Sequence, residues 1–120
     1  MMYVEQGTII ELSNEKRKAI VLSKDFFNQS GLSVVCPIVL TAAEDVLHIP
    51  LTVNGEQVIA LCEHLKTVDL TKRHFKTIGT INFAQIQEIT DIVQAILIII
   101  LMVDHKMYFL KVFRYRRKEE

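Results

Sequence analysis

The chain is poor in the features that announce a function directly. It has 2 cysteines in 120 residues, Cys36 and Cys62, both in apolar stretches (VVCPI and IALCEHL). That pattern reads as two buried free thiols rather than a disulfide framework. No Cys/His spacing suits zinc, and neither metal nor cofactor is expected. Neither sign of charge is in excess, since 14 Lys and Arg balance 14 Asp and Glu. Bulk charge therefore does not mark a nucleic-acid binder, and any anion site must be local. No apolar run is long enough to cross a bilayer. The longest, AILIIILMV, covers residues 95–103, far short of the roughly 20 residues a spanning helix needs. The opening MMYVEQGTII lacks the basic start and apolar stretch of a signal peptide, so the expected location is cytoplasmic. Internal repeats and low-complexity segments are also missing.

What is present is apolar material for one packed domain: hydrophobic residues make up 50% of the chain, enough for a core at this length. The charge is unevenly placed. Residues 1–105 hold 8 Lys/Arg against 12 Asp/Glu, whereas residues 106–120 hold 6 against 2. The body is mildly acidic and the tail basic. Within that body one triplet stands out, Lys16-Arg17-Lys18, which runs straight into the apolar segment AIVLS.

The periodicity predicts a mainly β chain closed by a helix. GTIIEL (7–12), AIVLS (19–23), SVVCPIVL (33–40) and VLHIPLTV (46–53) read as strands. AIVLS is continuously apolar and should be covered on both faces. Pro37 inside the third strand implies an edge, a bulge or a bend. KDFFNQSGL between the second and third strands is a connection rich in turn formers. Asn54-Gly55 is a strong hairpin signal, and EQVIALCEHLKTVD (56–69) leads out of it as the next strand. LTKRHFKTIGTI (70–81) is a loop that ends in a short strand. Asn82 reads as an N-cap. Ile86, Ile89, Val93, Ile96 and Leu97 then mark an amphipathic helix over about 83–103. MYFLKVFRYRRKEE beyond it is either a strand or a frayed extension. Five or six short strands and one terminal helix make a strongly bent antiparallel sheet or small barrel with a helix packed on it. The domain is expected over 1–103, with 104–120 as a separate basic-aromatic tail.

Four segments in this order resemble the MazF/PemK toxins. They are GTII near the start, KRKAIVLS, FFNQSGLSVVCPI, and the hairpin VLHIPL…NGEQVIALCEHLKTVDL. The resemblance runs from residue 4 to about 97. It implies an SH3-like barrel, a homodimer, and the toxin half of a type II toxin–antitoxin pair. It implies sequence-specific, metal-independent cleavage of single-stranded RNA to 2′,3′-cyclic phosphate and 5′-hydroxyl ends. It also implies an antitoxin partner that lays an extended acidic segment over the RNA groove, with DNA reached only through that antitoxin.

Such a reaction needs a base for the ribose 2′-hydroxyl, a cation for charge developing on the phosphoryl oxygens, and an acid for the departing 5′-oxygen. Arg17 falls where the family keeps its catalytic arginine, and a guanidinium grips phosphate in a bidentate fork. Alone, it would read as a solvated strand end. Glu63 stands at the family's acidic position, as base or as a group orienting Arg17. His64 replaces the following glutamine and is able to carry a proton near neutral pH. Adjacent residues on a regular strand face opposite ways, so Glu63 and His64 share one groove only if the strand bulges. Lys16, Lys18 and Lys66 would attract phosphates. His48, His74 and His105 are given no role.

Three positions depart from the family pattern. Only SNEK separates the first strand from Arg17, where relatives carry a longer loop lining the RNA groove. Lys18 replaces a proline. Val39 replaces a threonine that contacts the scissile phosphate, and has no hydroxyl to offer; Thr41, two residues on, is the substitute to test. The alternative is therefore a catalytically impaired module that dimerises and binds RNA or an antitoxin peptide. A small barrel with no nucleic-acid role is a third reading. The tail reads as an RNA-binding arm, a membrane-surface segment, or an extension that hides its apolar run at a contact.

Overall fold

Two adjacent strands with apolar residues on both faces set the architecture. In β1 (Thr8–Leu12) and β2 (Arg17–Val21), Ile9 and Ile20 face one way while Ile10, Ala19 and Val21 face the other. The computed structural model describes residues 3–101. The further elements are α1 (Asp25–Asn28), β3 (Leu32–Val39), β4 (His48–Val53), β5 (Glu56–Leu61), β6 (Lys66–Asp69), β7 (Phe75–Thr80) and α2 (Phe83–Leu101). All strands pair antiparallel in one curled sheet of order β4-β5-β3-β2-β1-β7, with β6 also on β3. The expected SH3-like barrel is thus a half-barrel with a terminal helix.

The double coverage of AIVLS gives two cores. Ile9, Ile20, Cys36, Leu51, Ala60 and their neighbours pack with Ile89 and Ile92 of α2. Val4, Ile10, Leu12, Ala19, Val21, Val35 and Val68 form a second cluster on the opposite face. Cys36 and Cys62 form no disulfide and are buried in the first. A hydrogen bond to the Cys62 side chain, together with burial, pushes the Cys36 thiol far above its ordinary pKa, so it packs as an unreactive apolar group.

The connections show where local chemistry decides the path. Asn54 (φ 51°) and Gly55 (φ 80°) make the two-residue turn between β4 and β5, the left-handed pair a tight hairpin requires. Gly7 (φ 91°) lets Ile86 of α2 seat where a Cβ would lie 2.8 Å from its Cδ1. Asn82 caps α2: its Oδ1 accepts from Gln85 N at 2.8 Å, and Gln85 Oε1 accepts from Asn82 N at 3.0 Å, a reciprocal capping box. Asn28 explains the short helix α1, which sequence treats as plain connection. Its amide donates to the carbonyls of Val4 and Ser23 and accepts from the hydroxyls of Ser23 and Ser33. All four hydrogen-bonding positions of a buried side chain are filled.

One strand expectation needs correction. Residues 56–69 are not one strand but two, which raises the count among the described residues to seven. Ile38 pairs with Ala60 and Val35 with Lys66. Five residues, 61–65, therefore oppose two, Cys36 and Pro37. Pro37 fits this break. Leu22 donates to the carbonyl of Val34, and the resulting parity points the Pro37 nitrogen away from β2, toward the interrupted side where no ladder bond is lost. Pro37 is central, not at an edge. Among the described residues no helix is long and apolar enough to cross a membrane. The tail assigned to 104–120 lies outside the described residues.

Candidate functional site

The second apolar cluster is not fully covered, and its open side is the floor of a cavity of about 660 Å³. Leu12, Ala19, Val35 and Val68 line it from below. The rim is cationic. Lys16, Arg17 and Lys18 enter from the start of β2, Lys66 from β6, and Arg73 from the loop before β7. Five of the 8 cations in residues 1–105 thus meet around one cavity in an otherwise acidic body. Glu56 is the one carboxylate among the lining residues. An apolar floor with a cationic rim suits an anion that also carries flat apolar surface.

The turn at 13–16 aims the triplet. Glu15 N and Lys16 N both bond back to the carbonyl of Leu12, at 3.2 and 2.8 Å. Lys16 takes φ 52° to complete the reversal, a conformation that costs a lysine about 1–2 kcal/mol. Arg17 begins β2 with its side chain 69% exposed. Glu15 Oε2 lies 3.7 Å from Arg17 Nε, and Glu15 Oε1 lies 3.5 Å from an Arg73 guanidinium nitrogen. One carboxylate therefore lies against two guanidinium groups at the cavity mouth. The carboxylate beside Arg17 is Glu15, whereas Glu63 faces His48.

His64 lines the cavity and Glu63 is not among its lining residues. The break at 61–65 makes this possible. His64 N bonds to the carbonyl of Leu61 at 3.1 Å, and Cys62 N to the carbonyl of Leu47 at 3.1 Å. Within that turn, Glu63 swings outward to His48, with Oε2 2.6 Å from Nε2. The other ring nitrogen, Nδ1, lies 2.6 Å from the carbonyl of Ala43. These contacts raise the pKa of His48, chiefly through the Ala43 carbonyl and then through Glu63. Val39 and Thr41 both line the cavity, although β3 ends at Val39. The structure thus brings together Arg17, Thr41, Lys16, Lys18, His64 and Lys66, and sets Glu63 apart. Sequence reasoning did not find Arg73, Glu15, Glu56 or the contacts of His48. The pairing of Glu15 with Arg17 is local, whereas Arg73 meets Glu15, and His48 meets Glu63, only through the fold.

The cavity with its cationic rim thus sits on a small β half-barrel closed by one helix. The family described as PemK-like, MazF-like toxin of type II toxin–antitoxin system matches residues 6–97. The chain belongs to that family. A search of curated proteins gave no matching sequence. Solved structures match the fold. A MazE–MazF crystal structure from Deinococcus radiodurans superposes with a TM-score of 0.73 at 21% identity, covering 81% of this chain and 98% of that one. An endoribonuclease in complex with its cognate antitoxin from a mycobacterial species gives 0.68 at 10% identity, covering 78% and 94%. A MazF toxin of Mycobacterium tuberculosis gives 0.62 at 14% identity, covering 73% and 92%.

Proposed function

We propose that this toxin is a metal-independent endoribonuclease that cleaves single-stranded RNA in the cavity floored by Leu12, Ala19, Val35 and Val68. The observation carrying this reading is the gathering of five cations around an apolar floor in an acidic body. The cations hold the phosphates and the apolar floor takes a base face. Attack of the 2′-oxygen on phosphorus forms the cyclic phosphate as the bond to the 5′-oxygen breaks. Arg17 stabilises the charge that builds on the non-bridging oxygens. His64 is the lining group suited to transfer protons at the 2′- or 5′-oxygen. Thr41 supplies the hydroxyl that Val39 lacks. Lys16, Lys18, Lys66 and Arg73 position the strand, and Glu63 acts on the site through its contact with His48.

By the same family relationship the toxin works as a homodimer in the cytoplasm and is inhibited by an antitoxin whose acidic segment competes for the cationic rim. The test is to incubate the purified chain with a long unstructured RNA in EDTA, beside Arg17→Ala and His64→Ala, and to map the ends. Cleavage that leaves 5′-hydroxyl ends, and is lost in Arg17→Ala, supports the reading. Salt-dependent RNA binding without cleavage would replace it with the binding module, which the short turn at 13–16 and Val39 favour.

A further inference from the structure

His48 joins two walls of the cavity without lining it. Its ring spans the loop at 40–47, which carries Thr41, and the break at 61–65, which carries His64. Both atoms it faces are acceptors. The Ala43 carbonyl has no proton to give, and neither does an ionised Glu63. Both contacts are 2.6 Å, shorter than the usual range for charge-assisted N–H···O bonds. Against an ionised Glu63 both ring nitrogens donate, and a neutral imidazole has only one N–H. The pair holds one proton more than a neutral histidine beside a carboxylate would.

We propose that His48 is a positioning residue: as an imidazolium it clamps the Thr41 loop to the His64 turn, and loss of its proton lets the two walls separate. The side chain is only 14% exposed, so water replaces a broken contact poorly. The charged groups that face it are Glu63 from the break and Asp45 from the loop, both acidic and both favouring the protonated ring. Asp45 also fixes the loop itself, accepting from Leu47 N through Oδ1 at 2.9 Å and from His48 N through its carbonyl at 3.1 Å. Behind Glu63, the Cys36 thiol is kept neutral and contributes no competing charge. The folded-state pKa of His48 is raised, so the clamp is complete below the ordinary histidine value of about 6.5. It is lost as pH rises through the higher folded value. The clamp stands independently of the reaction, and its effect on catalysis rests on the ribonuclease reading.

The experiment reads the ring directly. Long-range proton–nitrogen spectra of the labelled wild-type chain are recorded across pH, with amide exchange of residues 42–47 followed in parallel. The expected result is a doubly protonated His48 ring at pH 6.5, titrating above the ordinary value. Corrected for the intrinsic rate at each pH, protection in 42–47 should fall through the same transition while that of α2 stays level. Glu63→Gln should lower the His48 midpoint, and His48→Gln should lower protection in 42–47 below the transition and match wild type above it. In RNA assays, His48→Gln should lower kcat/KM roughly tenfold at pH 6.5, the effect of about 1.4 kcal/mol, and flatten the alkaline limb of the profile. A singly protonated ring at pH 6.5, or loop exchange that ignores His48, overturns the clamp whether or not RNA is cut. Absence of cleavage with the ring and loop behaving as described overturns the ribonuclease reading and leaves the clamp standing.

Discussion

The side-chain amide of Asn54 donates to the carbonyl of Ile78 at 3.0 Å, which ties the tip of the β4–β5 hairpin to β7 at the other end of the sheet order. The acceptor is free because the β1–β7 ladder slips there. Ile9 pairs with Gly79 and Ile10 with Thr77, leaving Ile78 bulged out. Gly79 makes room, since a Cβ on it would stand 3.2 Å from the Asn54 amide nitrogen. The two changes at Asn54 separate turn from seam. Asn54→Gly keeps the left-handed turn and loses the seam bond, costing about 1 kcal/mol. Asn54→Ala loses both and should cost about 1–2 kcal/mol more. Urea denaturation of the two variants beside wild type measures the difference.

Asn28 is the polar keystone under α1. Asn28→Ala leaves the hydroxyls of Ser23 and Ser33 and the carbonyl of Val4 without their partner. A loss of about 2–5 kcal/mol is expected, a large share of the stability of a domain this size. Thermal unfolding of the variant would show it, and an unchanged midpoint would remove Asn28 from the account.

Glu15 stands where a phosphate would stand, between Arg17 and Arg73. Glu15→Gln should tighten RNA binding about two- to fivefold at low salt, by freeing two cations on an exposed rim. The gain should shrink as salt rises. Binding isotherms at several salt concentrations measure this, and weaker binding in the variant would mean that Glu15 serves the site by orienting Arg17.

Asn82→Ala removes the cap of α2 and should cost about 1 kcal/mol. Gln85→Ala should cost less, since it removes only the returning bond. The additivity of the pair, read from a double-mutant cycle in denaturant, tests whether the two bonds act together.

Strands, hairpin and helix were legible because each rests on short-range chemistry: the two-sided apolar run of β2, the Asn54-Gly55 turn, the Asn82 cap. The break at 62–65 was not. Cys62-Glu63-His64-Leu65 contains no glycine or proline, and nothing local interrupts the strand pattern there. Glu63 and His64 were expected to share one groove only if the strand bulged; the strand does break there, yet Glu63 turns to His48 and only His64 lines the cavity. The triplet Lys16-Arg17-Lys18 was legible as a local anion site because three cations stand together in an acidic body. Glu15 stands next to the triplet in sequence and went unread as its partner, whereas Arg73 joined it only through the fold, 58 residues from the Glu15 it meets. His48 was passed over for the same reason, because its partners at Ala43 and Glu63 meet only once β4 lies on β5.

Five residues opposing two on β3 leave β5 and β6 in different phase along the same neighbour. The core-facing positions Ala60 and Val68 are fixed by that neighbour, and Cys62 by its burial and its bond to Leu47, whereas Glu63 and His64 are aimed by the length of the insert. Lengthening or shortening it by one would rotate a different side chain over the cavity while the sheet kept its packing. The chain thus keeps its framework and the lining of its cavity on separate controls, and a lineage could exchange what faces the cavity without rebuilding what holds the fold.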